Sequence, residues 1–184
     1  MSNKYFFRIA GWSALLIILI NVLIMLIFPS GKPTGAEMVF EIFSLLVLTF
    51  VFFALYGAHR SESAGLSLAG LILWLPGLGV NIANVLTSND FLNLLGTLLL
   101  SLPFLIFGFL AYRSARMPRG LAVVTLLTGI LYLITGVSGL MGIAVIGEYA
   151  GLVAAVLMLA WAVWLCVVFT SKKFAATSPV PAAA

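Results

Sequence analysis

The chain has 184 residues, 64% of them hydrophobic and 8% charged, with a net charge of +4 and a mean hydropathy of +1.26. Soluble domains carry about 45–50% apolar and about 25% charged residues. Too few charged groups are present here to cover a water-facing surface, so the solvent of this chain is lipid.

A helix crossing the hydrocarbon core needs about 20 mostly apolar residues. Six stretches have that length: 9–28, 38–56, 66–86, 91–112, 121–143 and 151–169. Unbroken apolar runs such as residues 14–20 do not alternate as barrel strands must, so the expected fold is an all-α bundle of six transmembrane helices. Lys4 and Arg8 ahead of the first span resemble a signal-peptide n-region. The apolar run that follows exceeds the h-region length of about 7–15 residues, and no A-x-A site follows it. It is read as a retained first helix. In the third span Gly70, Trp74, Gly77, Asn81 and Asn84 recur at helical spacing, and Pro76 predicts a kink. Pro103 predicts a bend in the fourth. The fifth carries Thr125, Gly129, Tyr132, Gly136 and Gly139 on one stripe, beside a second stripe of Thr128, Thr135 and Gly142. Small residues mark packed faces in membranes, so this helix is expected at the centre of the bundle. Gly151 and Ala155 form a small-xxx-small pair in the sixth. A turn is expected at 147–150, and 175–184 is read as a short disordered cytoplasmic tail.

Charge orients the bundle. Lys4, Arg8, Arg60, Arg113, Arg116, Arg119, Lys172 and Lys173 fall on one side of a six-span arrangement, and Lys32 alone falls on the other. Short loops rich in Lys and Arg stay cytoplasmic, which predicts cytoplasmic ends for both the first and last spans in a plasma membrane. The basic residues are juxtamembrane, so nucleic acid is not an expected partner. Arg113, Arg116 and Arg119 are instead candidates for holding anionic lipid headgroups.

Catalysis and metal binding are sharply limited. One histidine, His59, and one cysteine, Cys166, exclude an intrachain disulfide and haem held by two histidines. No HExxH, CxxC, P-loop or GxGxxG pattern appears, and no cofactor is expected. His59 is read as a solvated flank of the second helix. Gly136-Val137-Ser138-Gly139 looks like the serine motif of rhomboid intramembrane proteases, but a serine nucleophile needs an adjacent base. His59 is expected at the opposite end of the bundle, so protease activity is rejected.

A cluster of polar residues remains in the outer half. Asn21, Glu41, Asn81, Asn84 and Asn93 lie at similar depth, with Thr135 and Ser138. Polar groups within a membrane are costly unless paired, and ionisable ones are candidates for function. They are expected to line an outward-facing site for a cation, a proton or a small polar solute, with Glu41 as its charge. The opposing reading is that they are hydrated at the interface or bond one another across helices.

Arg8-Ile9-Ala10-Gly11, together with the basic turn Tyr112-Arg113-Ser114-Ala115-Arg116-Met117-Pro118-Arg119-Gly120-Leu121, resembles a family of small prokaryotic six-helix membrane proteins catalogued as a domain of unknown function. Gly120 stands where an aromatic usually follows the Pro-Arg pair. The resemblance implies a prokaryotic plasma-membrane protein and assigns no site residue. Two functions stay open: a protein that binds or transports a small polar solute or cation, and an accessory or scaffold subunit of a membrane complex. The partners are the bilayer and either a second copy of the chain or another membrane protein.

Overall fold

The computed structural model describes residues 3–28, 34–171 and 174. They form six α-helices: α1 (Asn3–Ile27), α2 (Gly35–His59), α3 (Ala64–Thr87), α4 (Asp90–Arg113), α5 (Arg119–Leu140) and α6 (Ala144–Thr170). All six are long and apolar enough to cross a membrane, and less than half of each span is buried inside the bundle. The remaining apolar surface faces lipid. The chain is a multi-pass, all-α membrane protein. Lys32, Lys172, Lys173 and the 175–184 tail lie outside the described residues.

Local chemistry explains the helix ends. Thr34 and Glu37 form a capping box at the start of α2, each side chain accepting a backbone N–H of the other. Asn89 Oδ1 accepts from Leu92 N–H and caps α4. Ser88, which ends α3, sits in the left-handed region at φ 49°. That conformation costs a residue with a Cβ about 1–2 kcal/mol. Ser88→Gly is therefore expected to raise stability by about 1 kcal/mol, less the entropy that glycine loses on folding. Chemical denaturation in mixed micelles checks this, and an unchanged midpoint counts against it.

The turn between α5 and α6 lies at 141–143, earlier than the expected 147–150. Gly142 makes the corner at φ +75°, and Ile143 N–H donates to Ser138 carbonyl at 2.8 Å. Gly147 and Ala150 are then buried within the first turns of α6. A Cβ on Gly147 would lie 3.0 Å from Ser138 Oγ, so the glycine serves close packing. α3 runs unbroken through Pro76 and α4 through Pro103.

Each helix packs against its neighbours in chain order, α6 packs back on α1, and α2 also touches α4. Short connections at 60–63, 88–89, 114–118 and 141–143 make neighbours antiparallel. The result is a closed ring with two unlike ends. Arg8, Arg60, Arg113, Arg116 and Arg119 share one end, here the basic end. Glu37, Glu41, Asp90 and Glu148 share the other, the acidic end.

This ring overturns the central position expected for α5. Among the described residues its packed partners are α4 and α6, and α4 has the wider set of α2, α3 and α5. The α5 stripe faces α4: Gly129 meets Leu105, Gly136 meets Leu98 and Gly139 meets Leu94, while Gly108 of α4 receives Leu126. The stripe marks one close interface, which a peripheral helix can supply as well as a central one.

Aromatic rings fill the inside. Phe52 of α2 lies 4.7 Å from Trp74 of α3 and 5.5 Å from Phe104 of α4, centroid to centroid. Phe104 contacts Trp161 of α6 at 5.0 Å and Tyr132 of α5 at 5.9 Å. Phe52, Trp74 and Phe104 have no exposed surface. Trp74 Nε1–H donates to Thr49 Oγ1 at 2.9 Å, which satisfies the polar edge of a large apolar group. α1 joins through Phe7, Ala10 and Ala14.

Candidate functional site

At the acidic end a groove of about 550 Å³ lies between α4, α5 and α6. The Asn89 cap starts α4 so that Asp90 and Asn93 fall in and just after its first turn. The 141–143 corner brings α6 back, so Glu148 lies on a helix and lines the same groove. Thr135, Gly139 and Gly151 complete much of the wall. Thr135 Oγ1 donates to Leu131 carbonyl at 2.9 Å. Among the described residues the lining holds two carboxylates, an amide and a hydroxyl, and no basic residue.

Of the polar residues singled out in the sequence, Asn93 lines this groove. Asn21 lies at the α1–α2 contact, where its Nδ2 donates to Ile17 carbonyl at 2.7 Å and Ser44 Oγ at 3.1 Å. Glu41 is half-buried one turn before Ser44 and makes no hydrogen bond among the described residues. Asn81 donates to Gly77 carbonyl at 2.8 Å. Its amide lies against α4, where a Cβ on Gly96 would fall 2.8 Å away. Asn84 is half-buried near the end of α3, and its carbonyl accepts from Ser88 N–H. These groups are therefore distributed around the ring. Asp90 and Glu148 are groove residues that sequence reasoning passed over.

Ser138 is buried and bonded within α5, its Oγ donating to Ile134 carbonyl at 2.6 Å. It is on the half of α5 next to the acidic end, whereas His59 closes α2 at the basic end. Among the described residues no group of three or more His, Cys, Asp or Glu is arranged to hold a metal ion.

The basic end corrects the reading of His59. Its side chain is 1% exposed, not solvated. Leu48, Phe52, Leu55 and His59 are buried at helical spacing, so the imidazole continues the inward stripe of α2. Its ring lies 6.4 Å from that of Phe107. Nδ1 is 3.3 Å from Glu62 Oε2, and Nε2 is buried without a partner among the described residues. Glu62 Oε1 accepts from Ser114 Oγ at 2.7 Å, Ser114 Oγ accepts from Arg116 N–H at 3.1 Å, and Arg116 Nη1 donates to Ser61 Oγ at 3.3 Å. The three-residue step from His59 to Glu62 was the available sequence signal. Arg113 and Arg119 are exposed, with the Arg113 guanidinium 5.5 Å from the centre of the Phe109 ring.

Comparison with known proteins finds no family model, no curated protein and no solved structure that matches the chain.

Proposed function

We propose that this membrane protein binds a small cationic solute, such as an organic amine, in the groove between α4, α5 and α6. The observation that carries the reading is a groove of ligand size with Asp90 and Glu148 in its wall and no base among its described lining residues. Pockets for small ligands run to about 300–1,000 Å³. Two carboxylates raise the local concentration of cations, while Asn93 and Thr135 supply oriented acceptors. The basic loops favour the cytoplasm, so the groove opens outward from a plasma membrane, prokaryotic by the resemblance carried in the 112–121 turn. Arg113 and Arg119 are free to meet anionic headgroups, whereas Arg116 is engaged with Ser61. The aromatic filling of the ring favours binding over passage through a single copy.

The test is denaturation in detergent with putrescine, sodium and magnesium as probes. A ligand at about 100 times its dissociation constant adds about 2.7 kcal/mol. Stabilisation of wild type by putrescine, lost in the Asp90→Asn/Glu148→Gln double variant and kept in Glu41→Gln, is the expected result. Loss in Glu41→Gln alone moves the site to the α1–α2 contact. Curves blind to every probe favour the accessory or scaffold role instead.

A further inference from the structure

We infer that the turns 60–63 and 114–118 form a pH-sensitive latch at the basic end, closed when His59 is neutral and released when it is protonated. The latch is a chain of side-chain contacts joining residues far apart in sequence. His59 meets Glu62, Glu62 accepts from Ser114, and Arg116 reaches back to Ser61. It ties the end of α2 to the end of α4, where the His59 ring of α2 also faces the Phe107 ring of α4.

Geometry decides which protonation state the closed latch holds. A neutral imidazole with its proton on Nδ1 donates to Glu62 and leaves only a lone pair on buried Nε2. Protonation adds a second N–H there, for which the described residues offer no acceptor, and a charge on a ring 1% exposed. Glu62 attracts that charge, but its side chain is 30% exposed and the attraction is screened. Among the described residues Arg116 is the other charged group acting on the ring, and it repels. Among the described residues the other groups seen against His59 are uncharged: Phe107 of α4, and Ser63, whose backbone N–H donates to the His59 carbonyl. Arg60 and Arg113 are exposed at the rim. The hydrated imidazole of an open latch titrates near the ordinary histidine value of about 6.5. The open form therefore takes up the proton more readily than the closed form, and the closed form loses ground as pH falls below that value. Between the two titrations the closed-to-open ratio drops by up to about tenfold per pH unit.

Hydrogen–deuterium exchange on the whole protein in detergent tests this, with rates corrected for the intrinsic pH dependence of exchange. Between about pH 8 and about pH 5.5, segments 57–67 and 110–120 are expected to exchange about tenfold faster together, while the middle of α5 does not change. His59→Gln, which keeps a donor for Glu62 but cannot titrate, is expected to abolish the response. Ser114→Ala, which cuts the chain and keeps His59, is expected to be unlatched already at about pH 8 and flat with pH. The latch is overturned by equal protection at both pH values in wild type, by a response in one segment only, or by a response that survives in His59→Gln. If His59→Gln does not fold, Ser114→Ala decides: protection and pH response like those of wild type overturn the proposal.

Discussion

Gly136→Ala is expected to lower the free energy of unfolding in mixed micelles by about 1–3 kcal/mol, the usual cost of overpacking. A Cβ at this position would lie 2.9 Å from Leu98 Cβ and 3.0 Å from both Leu98 Cα and Leu98 N. The obstacle is the backbone of α4, which no rotamer change removes. The two helices must separate, and every contact along the Gly129, Gly136 and Gly139 stripe weakens with them. Gly79→Ala is the matched control. Nothing lies within 4 Å of a Cβ there, and alanine is preferred to glycine in a helix by about 1 kcal/mol. The same substitution should thus stabilise α3 and destabilise the α4–α5 pair. Equal shifts in the two variants would show that backbone entropy, and not helix contact, governs both positions.

Phe104→Ala should cost more, about 3–5 kcal/mol. The ring is fully buried and touches Phe52, Tyr132 and Trp161 on three different helices. Its removal leaves a cavity where α2, α4, α5 and α6 meet, and flat, stiff neighbours collapse into such a space poorly. Phe91, on the same helix, is 59% exposed. Phe91→Ala should fall within about 0.5 kcal/mol of wild type, as surface changes do. A small effect at Phe104 would mean that the column is loosely packed and that the ring is held by its helix contacts alone.

The spans and the charge asymmetry were legible because lipid imposes them on every residue. Each helix must satisfy its own backbone, and each loop must carry groups that water accepts. Azimuth was less legible. Gly129 and Gly136 announce a close contact, but Leu98 and Leu105, which fill it, look like any other leucines in a chain rich in them. Asn21, Asn81 and Asn93 have a depth that can be read from their distance to the span ends. Whether they meet depends on which helices are neighbours, and the closed ring sends them to separate contacts. Gly147 reads as a turn because it precedes Glu148 in an otherwise apolar run, and only the Ser138 hydroxyl packed against it explains why the helix continues. His59 was legible in principle, since it extends the Leu48, Phe52, Leu55 stripe. Its polarity pointed to water while its spacing pointed inward, and spacing won because Glu62 satisfies one ring nitrogen.

The contact of α6 with α1 bears on how the protein is made. Helices leave the ribosome in order, and each of α2 to α5 finds its earlier neighbour as soon as it is inserted. α1 does not: the face that carries Gly11, where a Cβ would meet Cys166 and Phe169, waits for the last helix. Until α6 arrives, four intervening helices must hold an open arc whose two edges are both unpaired in lipid. Assembly of this ring is therefore completed only once α6 is inserted, and a nascent chain stalled before α6 presents α1 to whatever insertion factor or quality-control protease is at hand.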